Sequence, residues 1–209
     1  MSASSTVLPA LMLAGATVGA LHTIAPDHWV PFAALARANK WSWQRTARVT
    51  MLCGFGHVTV SAVLAILAAF AGLRVLEMLG AQLERQATFL LIAFGFVYLV
   101  WGLRRSFAGH THRHWHSSLT TWSLFALFCA DPCVAVMPLV FAAAVEGPAA
   151  VAAVIVVYET ATILTMIVFV LTAHAGVRRL ELPWIDRFGD AVAGAVIVCV
   201  GTVVGYLGI

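Results

Sequence analysis

Apolar residues run along this chain in long blocks separated by short polar segments. Blocks of the length that crosses the hydrocarbon of a bilayer, about 20 residues, lie roughly at 7–36, 48–72, 87–103, 119–144, 149–173 and 189–208. The first block is longer than one span needs and contains Pro26 and Pro31, which predicts a single broken helix. Segment 74–86 carries apolar residues at helical spacing between charged ends, which predicts a short helix along the outer interface. The pattern predicts an all-α membrane protein of six transmembrane helices, with residues 1–209 forming a single transmembrane domain.

Composition agrees. Hydrophobic residues make up 62% and charged residues 10% of the chain, where soluble domains carry about a quarter charged residues. No stretch is long or polar enough for a soluble domain. The four cysteines, Cys53, Cys129, Cys133 and Cys199, are scattered through apolar segments, which excludes a disulfide framework or a CxxC site. Residues Met1–Thr6 lack a basic signal-peptide region, so the block from Val7 reads as a retained span.

Charge then orients the spans. Arg37, Lys40, Arg45 and Arg48 surround the first connection. Arg104, Arg105 and Arg113 fall in the third, and Arg178, Arg179 and Arg187 in the fifth. Only Arg74 and Arg85 of the twelve basic residues fall on the other side. By the positive-inside rule the three basic connections are cytoplasmic and both termini face outward, in a bacterial or archaeal cytoplasmic membrane. Six of the seven tryptophans, all but Trp29, lie in or beside those connections, as an interfacial belt requires.

Three spans on each side of the 104–118 loop give two halves, about 7–103 and 119–208, in opposite orientation. The first span of one half contains Pro26-Asp27-His28-Trp29-Val30-Pro31. The first span of the other contains Asp131-Pro132-Cys133-Val134-Ala135-Val136-Met137-Pro138. Matching Pro-bounded interruptions predict a 3+3 inverted repeat with a transport site at the repeat interface. Gly15/Gly19 and Gly201/Gly205 have the small-xxx-small spacing of close helix contacts.

The interruptions also carry the candidate chemistry. His22, Asp27 and His28 lie inside the first span, where a charge costs about 2.5–3.5 kcal/mol on insertion scales. Two imidazoles and a carboxylate suit a divalent transition metal. On a continuous helix the three side chains would diverge at 100° per residue; unwinding at Pro26 lets them turn inward. His57, in Gly54-Phe55-Gly56-His57, is a fourth candidate ligand. It follows Arg48 by nine residues, as His28 precedes Arg37 by nine, which places both about 13 Å from the cytoplasmic boundary.

In the second half, Asp131, Cys133 and Glu159, with Thr160 and Thr162 beside it, are the intramembrane polar residues and candidates for a substrate pathway. Asp131 equally fits a helix cap, Cys133 a small buried hydrophobe, and Glu159 a proton carrier, a metal contact or a partner for an amide. The cytoplasmic loop carries His110, His112, His114 and His116, a run suited to metal capture at a pore mouth, although Arg113 within it opposes a cation. His174 fits a helix C-cap.

These motifs resemble those of the nickel/cobalt permeases of the NiCoT/NicO type, in the superfamily that includes lysine exporters. His22 to His28 fits H-x-x-x-x-D-H, Gly56-His57-Val58-Thr59-Val60 is similar to the next motif, and Tyr158-Glu159-Thr160-Ala161-Thr162 resembles a later F-D-T-A-T stretch. The resemblance implies a secondary transporter of Ni²⁺ or Co²⁺ working by alternating access. It also implies that His22, Asp27, His28 and His57 contribute to metal selection. This chain has six predicted spans where many such permeases have eight, Glu159 where they have Asp, and Ile163 where a carboxylate is frequent. Asp131-Pro132-Cys133 is similar instead to Pro-Cys motifs of NicO-like efflux proteins and of CcdA-type thiol–disulfide carriers. Metal identity and direction of transport stay open.

No Walker motif or H-E-x-x-H is present, so neither ATP hydrolysis nor zinc proteolysis is expected, and the chain reads as a transporter rather than an enzyme. The alternatives are a CcdA-like electron carrier, which needs a second reactive cysteine that the first span lacks, and a metal-sensing or accessory subunit. The expected partners are the metal ion, the lipid bilayer and a further copy of the chain as homo-oligomer. No nucleic acid and no permanent cofactor are expected.

Overall fold

The structure, a computed structural model, describes residues 4–71, 73–107, 117–131, 133–178 and 183–207. Among these it is helical throughout, with no strand. The helices are α1 (Ser4–His22), α2 (Val30–Ala38), α3 (Trp43–Ala71), α4 (Leu73–Phe107), α5 (Ser117–Cys129), α6 (Met137–Glu146), α7 (Pro148–Arg178) and α8 (Pro183–Leu207), with short 3-10 turns at Pro26–His28 and Val134–Val136.

Helices over Trp43–Ala69, Thr88–Phe107, Pro148–Val177 and Phe188–Leu207 are each long and apolar enough to cross a membrane. The count reaches six if α1 with α2, bent by 80°, and α5 with α6, bent by 41°, each make one span. Large apolar side chains such as Leu13, Phe55, Leu67, Phe96, Val156 and Leu164 point outward. An outer surface this apolar is compatible with a lipid environment and costly in water.

The breaks follow from proline. Pro26 offers no N–H to the carbonyl four residues earlier and clashes with it; that residue is His22, where α1 ends. The freed backbone closes in turns, Ile24 N–H to Leu21 O at 3.1 Å and Ala25 N–H to His22 O at 3.2 Å. The Trp29 indole donates to Ile24 O at 3.2 Å. Pro31 then sits in the first turn of α2, where a missing N–H costs nothing. Pro138 has the same place in α6.

Segment 74–86 departs from expectation. It is the first part of α4, which runs unbroken to Phe107, and not a separate interfacial helix. No proline interrupts 73–107, and the Leu, Glu, Met, Gln and Arg residues of this segment are good helix formers.

Glycine sets the closest contacts. A Cβ on Gly19 would stand 2.8 Å from Thr162 Oγ1 and 2.9 Å from the Tyr158 carbonyl, so α1 lies against α7 only because residue 19 has no side chain. Helices α4 and α8 meet similarly, where a Cβ on Gly102 or Gly194 would run into the opposite backbone. A polar chain joins the basic end of this pair to α2. Asn39 Nδ2 donates to Tyr98 Oη at 3.0 Å, Tyr98 to Asp190 at 3.2 Å, and Arg105 to the other Asp190 oxygen at 2.9 Å. The core draws on both sequence halves, with Phe32 and Cys53 packed among Leu124, Phe128, Met166 and Ile197.

Candidate metal centre

Three histidines from three elements of the first half meet inside the bundle. His22 is the last residue of α1, His28 ends the 3-10 turn, and His57 lies halfway along α3. The His22 and His28 rings stand edge to face at 4.4 Å, and His28 and His57 likewise at 5.2 Å. His22 and His57 are almost parallel at 6.5 Å. One ring nitrogen from each lies within 4.8 Å of the other two. Unwinding over residues 23–25 is what brings His22 and His28 to one point. A Cβ on Gly56 would stand 2.6 Å from the Phe125 ring, so the glycine before His57 admits α5 to the same region.

The hydrogen bonds define which nitrogens are free. His28 Nδ1 lies 2.9 Å from Asp27 Oδ1, and His57 Nδ1 lies 3.2 Å from the Phe128 carbonyl. Both partners are acceptors, so both rings carry a proton on Nδ1, and in the neutral imidazole Nε2 keeps its lone pair. The Nε2 atoms of His22, His28 and His57 are all buried without a hydrogen-bond partner. Buried polar atoms are normally satisfied, so three such orphans in one cluster of imidazoles are donors that a metal ion could use. An imidazole ligand whose outer nitrogen donates to a carboxylate or a carbonyl is the usual arrangement at metal sites.

Cation binding is also favoured by the fold. Helices α1 and α5 both end here, at His22 and Cys129, and a helix C-terminus carries partial negative charge. Asp27 has a side chain only 12% exposed, and Asp131 lies close enough to His28 for their charges to interact.

The sequence candidates therefore divide. His22, His28 and His57 come together. Asp27 joins them through His28, its carboxylate lying outside the three-residue cluster. Asp131 stands in the second break, outside the cluster but within electrostatic reach of His28. Cys133 is buried with its sulfur 2.6 Å from the Tyr158 hydroxyl. Glu159 is half-buried and outside the cluster. Thr160 is exposed and donates to Val156 O in its own helix, while Thr162 is fully buried against Gly19. His110, His112, His114 and His116 lie outside the described residues. His174 is buried near the C-terminal end of α7, its ring edge to face with Trp43 at 5.4 Å.

Two contributors escaped the sequence reading, the Phe128 carbonyl and Ser61. The Ser61 hydroxyl donates to His57 O and accepts from Cys133 N–H, both at 2.7 Å. The available signals were Pro132, four residues after Phe128, and a serine four residues after His57 in an apolar helix.

No protein-family model, curated protein or solved structure matches the chain.

Proposed function

We propose that the chain is a secondary transporter of a divalent transition-metal cation, Ni²⁺ or Co²⁺, in which His22, His28 and His57 replace part of the ion's hydration shell inside the membrane. One observation carries the reading: a ring nitrogen of each of the three histidines lies within 4.8 Å of the other two, and all three Nε2 atoms are buried without a hydrogen-bond partner. Imidazole suits nickel, cobalt, zinc and copper alike, and selection among them rests on geometry and availability. Asp27 orients His28 and offsets charge. Asp131 supplies a second carboxylate from the other half, so a dication between the two is electrically balanced. Glu159, Cys133 and Thr162 lie farther along the second half's share of the path.

In this reading α1 with α2 and α5 with α6 are broken spans of an inverted repeat, six spans in all. Support comes from the matching proline breaks and from the packing of α4 on α8, the third span of each half. The basic ends face the cytoplasm and the termini face outward. Rocking of the halves about the histidine cluster exposes it to each side in turn, as the resemblance to NiCoT/NicO permeases implies. The electron-carrier alternative gains no support, since the Cys133 sulfur faces a tyrosine hydroxyl and the first break contains no cysteine.

The test is multi-element mass spectrometry of cells expressing the wild type or the Asp27→Ala/His28→Ala double variant at matched membrane levels. A single metal that rises or falls with the wild type alone is the expected result, its sign giving the direction. Unchanged metal contents in both strains contradict transport.

A further inference from the structure

The second break lies against α3 at two points one helical turn apart. Ahead of the break, Phe128 O receives His57 Nδ1–H at 3.2 Å. After it, Cys133 N–H donates to Ser61 Oγ at 2.7 Å, and Ser61 donates in turn to His57 O at 2.7 Å. His57, Ser61 and Cys133 are all buried. In an unbroken helix the Phe128 carbonyl would be taken by the N–H of residue 132. Residue 132 is proline and has no N–H to give. The carbonyl is thus left for a donor outside its helix, and the donor present is the outer nitrogen of a candidate metal ligand.

We propose that Pro132 and Ser61 are positioning residues for His57. Pro132 releases the Phe128 carbonyl that fixes the proton on Nδ1 and aims Nε2 at the other two histidines, and Ser61 holds the broken segment in register with that carbonyl. The inference rests on reading the three histidines as a metal site. It makes the second break part of the support of the first half's ligands, in addition to any part in lining a path. The carbonyl sits at the negative end of α5, where it favours the positive charge that a bound metal induces on the imidazole. Because a hydrogen bond from a ligating imidazole strengthens as the metal draws charge from the ring, occupancy of the site also tightens the contact between the halves.

The test uses the purified full-length protein titrated with Co²⁺, whose visible ligand-field bands report coordination geometry. Ser61→Ala is expected to weaken Co²⁺ binding about ten- to hundredfold, the usual effect of losing an outer-shell partner, and to alter the bands. Ser61→Thr keeps the hydroxyl and restores both. Pro132→Ala returns an N–H to residue 132 and is expected to lower affinity and alter the bands in the same sense. It deletes no hydrogen bond, so it carries the test if Ser61→Ala does not fold. Folded variants with wild-type affinity and wild-type bands overturn the inference, as does a loss of thermal stability with the bands unchanged. If the wild type itself binds no Co²⁺, the metal reading fails, and this inference with it.

Discussion

The two proline breaks look alike in sequence and contribute different things to the site. Residues 22–30 supply side chains, His22 and His28 directly and Asp27 through His28 Nδ1. Residues 128–137 supply backbone, the Phe128 carbonyl to His57 and the Cys133 amide to Ser61. The first bends by 80° and brings its own candidate ligands together; the second bends by 41° and lies against a candidate ligand carried by an unbroken helix. A helix interruption inside a membrane can thus expose either side chains or main-chain groups, since both are freed when the ladder opens.

The largest expected effect breaks the first region. His28→Ala and His57→Ala each remove one of three donors, and Co²⁺ affinity is expected to fall more than a hundredfold, measured by titration of the purified protein. Asp27→Asn is next. An outer-shell partner is worth about ten- to hundredfold in affinity, so this variant should retain measurable binding where His28→Ala does not. A loss as complete as that of His28→Ala would make Asp27 a ligand in its own right. Gly19→Val drives a side chain into Thr162 and the Tyr158 carbonyl, and should destabilise by about 1–3 kcal/mol, read as a lower melting temperature of the detergent-solubilised protein.

Tyr158→Phe should do least. It removes the hydroxyl next to the Cys133 sulfur, an interaction worth about 1 kcal/mol, and should lower the melting temperature slightly with metal affinity unchanged. Affinity that falls with it would place Cys133 and Tyr158 in the site and give the second break a side-chain role after all.

Hydropathy made the long helices legible, because lipid-facing and buried faces of a membrane helix are both apolar and leave an uninterrupted signal. The start of α4 was hidden. Segment 74–86 has charged ends and apolar residues at helical spacing, as a separate interfacial helix would, yet helix propensity carries it unbroken into the span. His22, His28 and His57 were legible because an ionisable group in hydrocarbon needs a cause, and equal depth brought the last two together. Asp27 was legible as a member of the site but not as the partner of His28, since spacing cannot separate a ligand from the group behind it. The Phe128 carbonyl was hidden because every residue carries one; only the proline four positions later marks it. Ser61 was hidden because a hydroxyl in a membrane helix ordinarily bonds its own preceding turn. Ser61 does so, and its second bond, to Cys133, depends on tertiary structure.

X-ray absorption spectroscopy of the purified protein loaded with one equivalent of Co²⁺ decides whether the three histidines hold the metal. Three imidazole nitrogens are expected at about 2.0–2.1 Å, the distance of imidazole at comparable metal sites, reduced to two in His57→Ala. Oxygen ligands with no imidazole scattering, or a coordination that His57→Ala leaves unchanged, would rule the three-histidine site out.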